Sequence, residues 1–175
     1  MRSPLRTAYC VLLTGCCLLA AACGYHFAGT GGEAPGGIRS IAVEVLQNQT
    51  AEVGIESVFS NAILNEFIRT QRLAVRLRSE ADAVLSGSIS RITTQAVSHV
   101  EAEKTLETRV TVTLSLTLQR TGTGEILWQN QNLSYYQEYT ETEEALARRR
   151  NRRQALADIA GFLAEKVYQN IFEGF

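Results

Sequence analysis

The chain has 175 residues, of which 45% are hydrophobic, and its 17 basic and 18 acidic residues give a formal net charge of −1. A chain of this length can bury the core of one domain without disulfides or metals. The nearly balanced charge lacks the global basic field of nucleic-acid binding proteins, so we expect no nucleic acid among its partners. The composition therefore predicts one domain whose function depends on particular groups of residues rather than on its overall charge.

The first 22 residues have the layout of a secretory signal that is removed. Arg2 and Arg6 make a positive start, residues 8–22 carry no charge, and small residues directly precede Cys23. A cysteine at such a cleavage site is typical of lipoproteins, in which it becomes the acylated N-terminus. Because each buried CH₂ contributes roughly 0.8 kcal/mol, several acyl chains anchor a domain firmly to a bilayer. We therefore expect residues 1–22 to be removed and Cys23 to carry the lipid.

Two alternatives exist for this leader. Residues 8–22 could remain as a transmembrane anchor, but they fall short of the ~20 residues that a spanning helix needs. Cleavage before Cys16 would fit the usual leucine, small, small, cysteine pattern better, since Leu13 lies three residues before it. That cleavage would leave a very short apolar region and two free thiols, Cys17 and Cys23, in an oxidising compartment. The number of free thiols therefore favours Cys23.

Residues 23–37 are rich in glycine and contain little that could be buried. We expect them to form a lipidated tether, followed by a single domain at residues 38–175. The domain opens with a strand in which the period of two places Ile41, Val43 and Val45 on one face.

Two helices are predicted from apolar residues at helical spacing. The first extends from about Glu52 to Thr70 and the second from about Thr142 to Phe172. A second strand at residues 73–78 follows the first helix. A strand, a helix and a strand in this order predict a right-handed crossover with two parallel strands.

The third strand, at residues 81–97, does not keep its apolar residues on one face. One face holds Leu85 and Ile89, and the other holds Val84 and Ile92. A bulge or twist near Gly87 would explain the change.

The fourth strand, at residues 106–119, alternates apolar and polar residues most regularly, and a glycine-rich turn at residues 121–124 leads into a fifth strand at residues 126–139. The element order is therefore β-α-β-β-β-β-α. It predicts an α+β fold, a two-layer sandwich with both helices packed on one face of a mixed, mostly antiparallel sheet. The other face of the sheet would remain open.

The sequence offers no evident catalytic or metal-binding set. The only histidines are His26 and His99, and no free cysteine remains to join them. The acidic run at residues 138–144 could bind a cation or act as paired carboxylates, but a solvated loop and helix start explains it better. We therefore expect no metal, no cofactor and no enzymatic activity.

Basic residues mark two candidate anion-binding surfaces. Five arginines lie within residues 148–153, where they could pair within the helix, as Glu144 with Arg148, or contact an anionic surface. Other basic residues alternate with apolar strand positions or adjoin them, and should project from the open face or its rim. These are Arg76, Arg78, Lys104 and Arg109. Arg91 is a further candidate, but it faces outward only if its strand shifts register at a bulge.

Five short motifs occur in an order typical of one known family. They are Cys-Gly-Tyr-His-Phe at residues 23–27, Asn-Gln-Thr at 48–50, Ala-Asp-Ala-Val-Leu-Ser-Gly at 81–87, the strand 109–118 and its return through Thr-Gly-Glu-Ile-Leu-Trp at 123–128. In these motifs the chain resembles the LptE family of lipopolysaccharide-assembly lipoproteins. The resemblance extends over essentially all of residues 23–175.

The resemblance implies a non-enzymatic part of the machine that delivers lipopolysaccharide to the cell surface. In that family the lipoprotein sits as a plug inside a large outer-membrane β-barrel, the LptD partner, aids assembly of that barrel, and binds lipopolysaccharide. We therefore expect a protein held at the outer membrane by its N-terminal lipid, facing the periplasm and lying within the barrel lumen. Gly24, rather than aspartate, follows Cys23 and resembles the bacterial sorting pattern for the outer membrane.

On this interpretation the open face binds the phosphorylated lipid A region of lipopolysaccharide, because guanidinium groups engage phosphate oxygens through paired hydrogen bonds. The candidate residues are Arg76, Arg78, Arg91, Lys104 and Arg109. One alternative is a periplasmic lipoprotein that activates or scaffolds a cell-wall or secretion enzyme, since similar α+β domains serve different functions. Another is a hydrolase that uses the glutamates.

Overall fold

The computed structural model describes residues 34–99 and 106–173. Within them, a short 3₁₀ turn at Pro35–Gly37 precedes two helices, α1 (Ile55–Thr70) and α2 (Ala145–Glu173). The strands are β1 (Ser40–Val43), β2 (Gln47–Asn48), β3 (Ala74–Val75), β4 (Ala83–His99), β5 (Leu106–Arg120) and β6 (Ile126–Glu141). The predicted element order is confirmed, with β2 as an additional short strand. The proposed lipidation site Cys23, most of the tether, and Lys104 lie outside the described residues.

The strands form one mixed sheet in the order β3-β1-β4-β5-β6, and β2 also pairs with β4. β1 is parallel to β3 and to β4, as the strand, helix and strand pattern predicts. β5 is antiparallel to both of its neighbours, β4 and β6, and the three strands follow one another in the chain as a long meander. The α+β class and the mixed sheet are therefore as expected.

Both helices pack against the same face of the sheet and share one core with it. On α1, the residues Phe59, Ile63 and Phe67 recur every four positions and are at most 1% exposed. They belong to the same core as the inward side chains of β5, which are fully buried. These are Val110, Val112, Leu114, Leu116 and Leu118. Neither helix in the described residues contains an apolar stretch long enough to cross a bilayer.

The predicted first strand is wrong beyond Val43, where β1 ends. Val45 is 70% exposed, whereas Leu46 is 2% exposed and lies in the core. The backbone N–H of Leu46 donates a hydrogen bond to the Ser60 hydroxyl on α1, at 2.9 Å. The chain is thus drawn toward the helix before β2 begins. Because alternation of side chains requires an unbroken extended strand, this interruption reverses which residues face the core.

β4 contains the expected bulge, but at Ser90 rather than near Gly87. Ile89 and Arg91 pair with consecutive residues of β5, so the extra residue of the bulge is Ser90. The bulge reverses the alternation of the strand. Ile92 therefore packs against the core, not with Val84 on the opposite face as predicted. For the same reason Arg91 lies on the open side of the sheet.

Gly87 has a different role, because the backbone of β5 lies close to it. A Cβ atom built on Gly87 would overlap the carbonyl oxygen of Ser115 and lie 2.9 Å from the Cα atom of Leu116. Glycine avoids this overlap since it has no Cβ.

Asp82 joins the starts of β1 and β4. Its carboxylate accepts hydrogen bonds from the backbone N–H groups of Arg39, at 2.8 Å, and Ser40, at 3.0 Å. The Ser40 hydroxyl in turn accepts from the Asp82 N–H, at 2.9 Å. These bonds, first that from the Arg39 backbone, hold the pKa of Asp82 below its ordinary value. The reciprocal contact fixes the register of the parallel pair.

Candidate functional site

The face of the sheet opposite the helices carries no other element within the described residues. We call this surface the open face and define it by the polar outward residues of the meander. These are Ser86, Ser88, Arg91, Thr93 and Gln95 on β4; Arg109, Thr111, Thr113, Ser115, Thr117 and Gln119 on β5; and Ser134, Tyr136 and Glu138 on β6. Near β1 the same side of the sheet also carries the buried apolar cluster of Ala42, Ala81 and Val84. Hydroxyl groups dominate the open face, so it suits water or a polar partner.

Arg109 is a cation of the open face that contacts both a carboxylate and an aromatic ring. Its Nη2 and Nε donate to the same oxygen of Glu138, at 2.6 and 3.1 Å, and its guanidinium lies 4.3 Å from the centre of the Tyr136 ring. The hydrogen bond with Glu138 raises the pKa of Arg109 above its already high value, so it stays charged. Both members of the pair are more than a third exposed, so the pair orients the guanidinium more than it stabilises the fold.

Arg91 reaches the open face through the bulge at Ser90. It pairs across the sheet with Thr113 and is exposed. Thr113 and Arg109 are four residues apart on β5, so the Cα atoms of the two arginines are roughly 14 Å apart at ~3.3 Å per strand residue. The threonine hydroxyls of β5 lie between them.

Arg76 and Arg78 follow the short edge strand β3, away from that pair. The backbone N–H of Arg76 bonds to Ile41 on β1, and the Arg78 guanidinium forms an ion pair with Glu44. The distance from this edge to Arg91 is roughly 20 Å along β4 at ~3.3 Å per residue. The structure thus divides the candidate residues into two groups, and Lys104 lies outside the described residues.

The acidic run does not converge into one cluster. Glu138 pairs with Arg109 on the open face, whereas Glu141 accepts a hydrogen bond from the buried hydroxyl of Thr108 on the helix side, at 2.9 Å. Glu143 and Glu144 are exposed before α2. Across the described residues, no three His, Cys, Asp or Glu side chains are grouped closely enough to hold a metal ion.

A groove of about 280 Å³ lies between β6 and the first half of α2. Its lining consists of Gln137, Glu138, Tyr139, Thr140, Asn151, Gln154, Ala155 and Asp158. The charged groups of this lining are both carboxylates, so the groove does not suit a phosphate.

Arg152 forms a contact that the sequence did not predict. Its guanidinium pairs with Glu52 before α1, at 2.9 Å, and donates to Thr94 on β4, at 3.1 Å, and to the Tyr139 hydroxyl on β6, at 3.4 Å. The hydrogen bond with Glu52 raises the pKa of Arg152. Arg152 lies three, four and seven residues before buried positions of α2, namely Ala155, Leu156 and Ile159. That spacing could have assigned Arg152 to the packed side of the helix.

The family model described as "LptE: Lipopolysaccharide-assembly" matches residues 38–171 of the chain. The matched range contains α1, the whole sheet with its open face, and all of α2 except its last two residues. A comparison with curated proteins finds no match.

Two solved lipoprotein structures are similar in fold. A minor lipoprotein from Acinetobacter baumannii is 11% identical, with a TM-score of 0.53 over 78% of this chain and 92% of that one. The rare lipoprotein B from Shewanella oneidensis is 12% identical, with a TM-score of 0.52 over 76% of this chain and 95% of that one. At such identity the likeness establishes the fold alone.

Proposed function

Because the match extends over more than half of its residues, the chain belongs to the LptE lipopolysaccharide-assembly family, and we propose that it is the plug and assembly partner of an LptD-type outer-membrane β-barrel. In this role it binds lipopolysaccharide during delivery to the cell surface, without catalysing a reaction. The lipid on Cys23 holds it at the outer membrane, facing the periplasm and within the barrel lumen.

The observation that carries this proposal is the family match over the whole described domain. The chemistry of the open face is compatible with it, because a barrel lumen is polar and a plug needs a polar surface. The division of the acidic run between two sides of the sheet gives no support to the alternative of a hydrolase built on those glutamates.

We expect the native lipoprotein to copurify with a large β-barrel after mild detergent extraction of outer membranes. A plug is surrounded by its partner, so the complex should bury well over the ~1,600 Å² of a standard interface and survive dilution. Affinity purification followed by mass spectrometry measures this, with an unrelated tagged outer-membrane lipoprotein as control. Recovery of a free monomer would contradict the plug proposal, and recovery of a soluble periplasmic enzyme instead would favour the scaffold alternative.

Within this function, the open face holds the phosphorylated part of lipopolysaccharide between Arg91 and Arg109. Arg109 engages Glu138 through Nε and Nη2, which leaves its Nη1 edge for a phosphate oxygen. The Arg109 guanidinium lies over the ring of Tyr136, and this cation–π contact helps to orient it. Tyr136 is 49% exposed, so its ring also offers apolar surface beside the charge. Each charged hydrogen bond to a phosphate contributes roughly 1.5 to 3 kcal/mol.

Changing Arg91 and Arg109 together to glutamine should therefore weaken lipopolysaccharide binding by at least about tenfold. Changing Arg76 and Arg78 to glutamine is the matched control, since it also removes two positive charges and one surface ion pair. Circular dichroism first checks that each variant is folded. The affinity of each variant for lipopolysaccharide then decides which pair of arginines binds it. Equal affinity of the Arg91 and Arg109 variant and the wild type would rule out this site.

A further inference from the structure

The last part of β6 is an unpaired strand edge that opens into the groove beside α2. Within the described residues β6 pairs only with β5, so its outer side has no neighbouring strand. On the strand side, four consecutive residues line the groove, from Gln137 to Thr140. Because side chains alternate between the two faces of a sheet, only the edge of a strand presents four consecutive residues to one groove. The backbone of β6 therefore forms one wall of the groove.

A hydrogen bond at Thr140 shows which backbone groups point into the groove. The Thr140 carbonyl accepts from the Asn151 side chain on α2, at 2.9 Å, so it points away from β5. In an antiparallel pair the N–H and C=O of one residue point to the same side, and successive residues alternate. Both backbone groups of Glu138 therefore point outward too, and its carbonyl has one long contact with the Gln137 amide, at 3.4 Å. The edge thus offers alternating donors and acceptors.

This part of β6 lacks the features that usually protect an exposed edge. Proline, lysine and bulges on an edge strand prevent another strand from pairing with it. β6 contains no proline, lysine or arginine, and both of its register irregularities with β5 lie before Leu133. From Leu133 to Glu141 the strand pairs with β5 without interruption. A regular, unpaired edge of this kind is a template for an added strand.

One flank of α2 forms the other wall of the groove. Its residues recur at i, i+4, i+7 and i+11 and so lie on one side of the helix. They are Asn151, Ala155, Asp158 and Phe162. The bond from Asn151 to Thr140 closes one end of the groove, and Phe162 stacks on Tyr135 at 3.6 Å beyond the other end. Between these ends the small side chain of Ala155 leaves about 280 Å³, which has room for a side chain of an added strand.

Asp158 gives this groove a negative charge. Its carboxylate accepts a hydrogen bond from the Gln154 side chain, at 2.9 Å, and takes part in none of the ion pairs among the described residues. The nearest arginines along the helix do not change this. Arg148, for example, donates to the Thr142 carbonyl and pairs neither with Asp158 nor with Glu144. The charge of the groove therefore suits a lysine or arginine from a partner.

We propose that the groove binds an extended segment of the protein that encloses this domain, and that the segment adds to the sheet as a strand beside β6. A lysine or arginine of the segment pairs with Asp158. Another backbone supplies both donors and acceptors to the edge, whereas the phosphates of a lipid only accept, so the edge favours polypeptide over lipid. A segment of about four residues is one part of the large interface that a surrounded plug makes.

The source of this segment rests on the proposed function, and the mode of binding does not. The test uses the native lipoprotein in outer membranes, with a photoreactive benzoylphenylalanine in place of Gln154, an exposed residue of the groove. Irradiation should crosslink this position to polypeptide. Mass spectrometry should map the crosslinks to one short segment of the barrel protein that contains a lysine or arginine.

Thr140→Pro, added to the probe-carrying chain, should reduce the crosslink yield at least about tenfold. It removes an outward N–H and places a ring against the added strand, but it leaves the bonds between β5 and β6 intact. Ser134→Pro is the matched control, because its N–H also points outward by the same alternation but lies outside the groove. Circular dichroism checks that both variants are folded.

A second pair of variants tests the charge without changing the backbone. Asp158→Lys should also reduce the crosslink yield at least about tenfold, because it replaces an attraction with a repulsion. Glu165→Lys makes the same charge change at an exposed site of the same helix outside the groove, and should leave the yield unchanged.

Three outcomes would overturn the inference. They are crosslinking to lipopolysaccharide or to no partner, a yield that neither Thr140→Pro nor Asp158→Lys reduces, and equal losses in the controls. If a barrel copurifies but the groove gives no crosslink, the inference fails and the proposed function stands. A crosslink to a segment of another protein that Thr140→Pro abolishes would support the added strand and contradict the barrel as its source.

Discussion

Replacing Gly87 with alanine should lower the free energy of unfolding by about 2 to 3 kcal/mol, the cost of overpacking at a closely packed site. The added methyl group would meet the Ser115 carbonyl and the Leu116 backbone of β5, neither of which can move without disturbing the central strand pair. Denaturant titration followed by circular dichroism measures the loss as a lower midpoint with an unchanged slope.

Gly161→Ala is the matched control for this substitution. Gly161 lies within α2, and a Cβ there would meet nothing within 4 Å. Since alanine favours a helix over glycine by about 1 kcal/mol, this variant should be slightly more stable than the wild type. If both glycine variants unfold at the same midpoint, the close approach of β4 and β5 at Gly87 is not what selects glycine.

Replacing Arg152 with alanine should cost about 2 kcal/mol of stability, because a charged hydrogen bond is lost and the partly buried Glu52 and Tyr139 are left unsatisfied. Glu52, Thr94 and Tyr139 would all lose a donor. This expected loss of stability is smaller than the loss on breaking a fully buried ion pair, because the side chains of Arg152 and Glu52 are 26% and 33% exposed. Thermal or denaturant unfolding of the variant measures the effect.

Arg153→Ala is the control, since Arg153 is the next residue and carries the same side chain. It is exposed, so its removal should change stability by less than about 0.5 kcal/mol. A double-mutant cycle with Glu52→Ala isolates the pairwise energy. Equal stabilities of the two arginine variants would show that the contacts of Arg152 contribute nothing to the fold.

The fold could be predicted from the sequence where a single period continues without interruption. The alternation in β5 and the apolar stripe of α2 belong to this kind, and both elements are present in the structure. The predicted end of the first strand was wrong because the alternation of apolar residues continues in the sequence to Val45, while β1 ends at Val43. The position of the bulge in β4 was indicated by the apolar residues, which change from odd to even positions between Ile89 and Ile92. The glycine at position 87 suggested a different place for it, and that prediction was wrong.

The candidate site could be predicted only in part. The alternation of apolar and polar residues along β5 was enough to predict that Arg109 lies on the open face, but it did not indicate which residues surround it. Its contacts with Glu138 and Tyr136 depend on the register between β5 and β6, which two local irregularities alter. A pattern along one strand carries no information about such a shift in the strand beside it. For Arg152, the helical spacing could have indicated the packed side of α2, but it carries no information about the partner Glu52, which lies 100 residues away in the chain.

The bond between Arg152 and Glu52 also has a kinetic meaning, because it joins residues 100 positions apart in the chain. The β5 and β6 hairpin closes through a short turn, whereas this bond requires α1, α2 and the meander to be in place already. Contacts that close such long loops are expected to form late in folding. An interaction absent from the transition state slows unfolding without speeding folding. We therefore expect the bond between Arg152 and Glu52 to slow unfolding and so to prolong the lifetime of the folded domain.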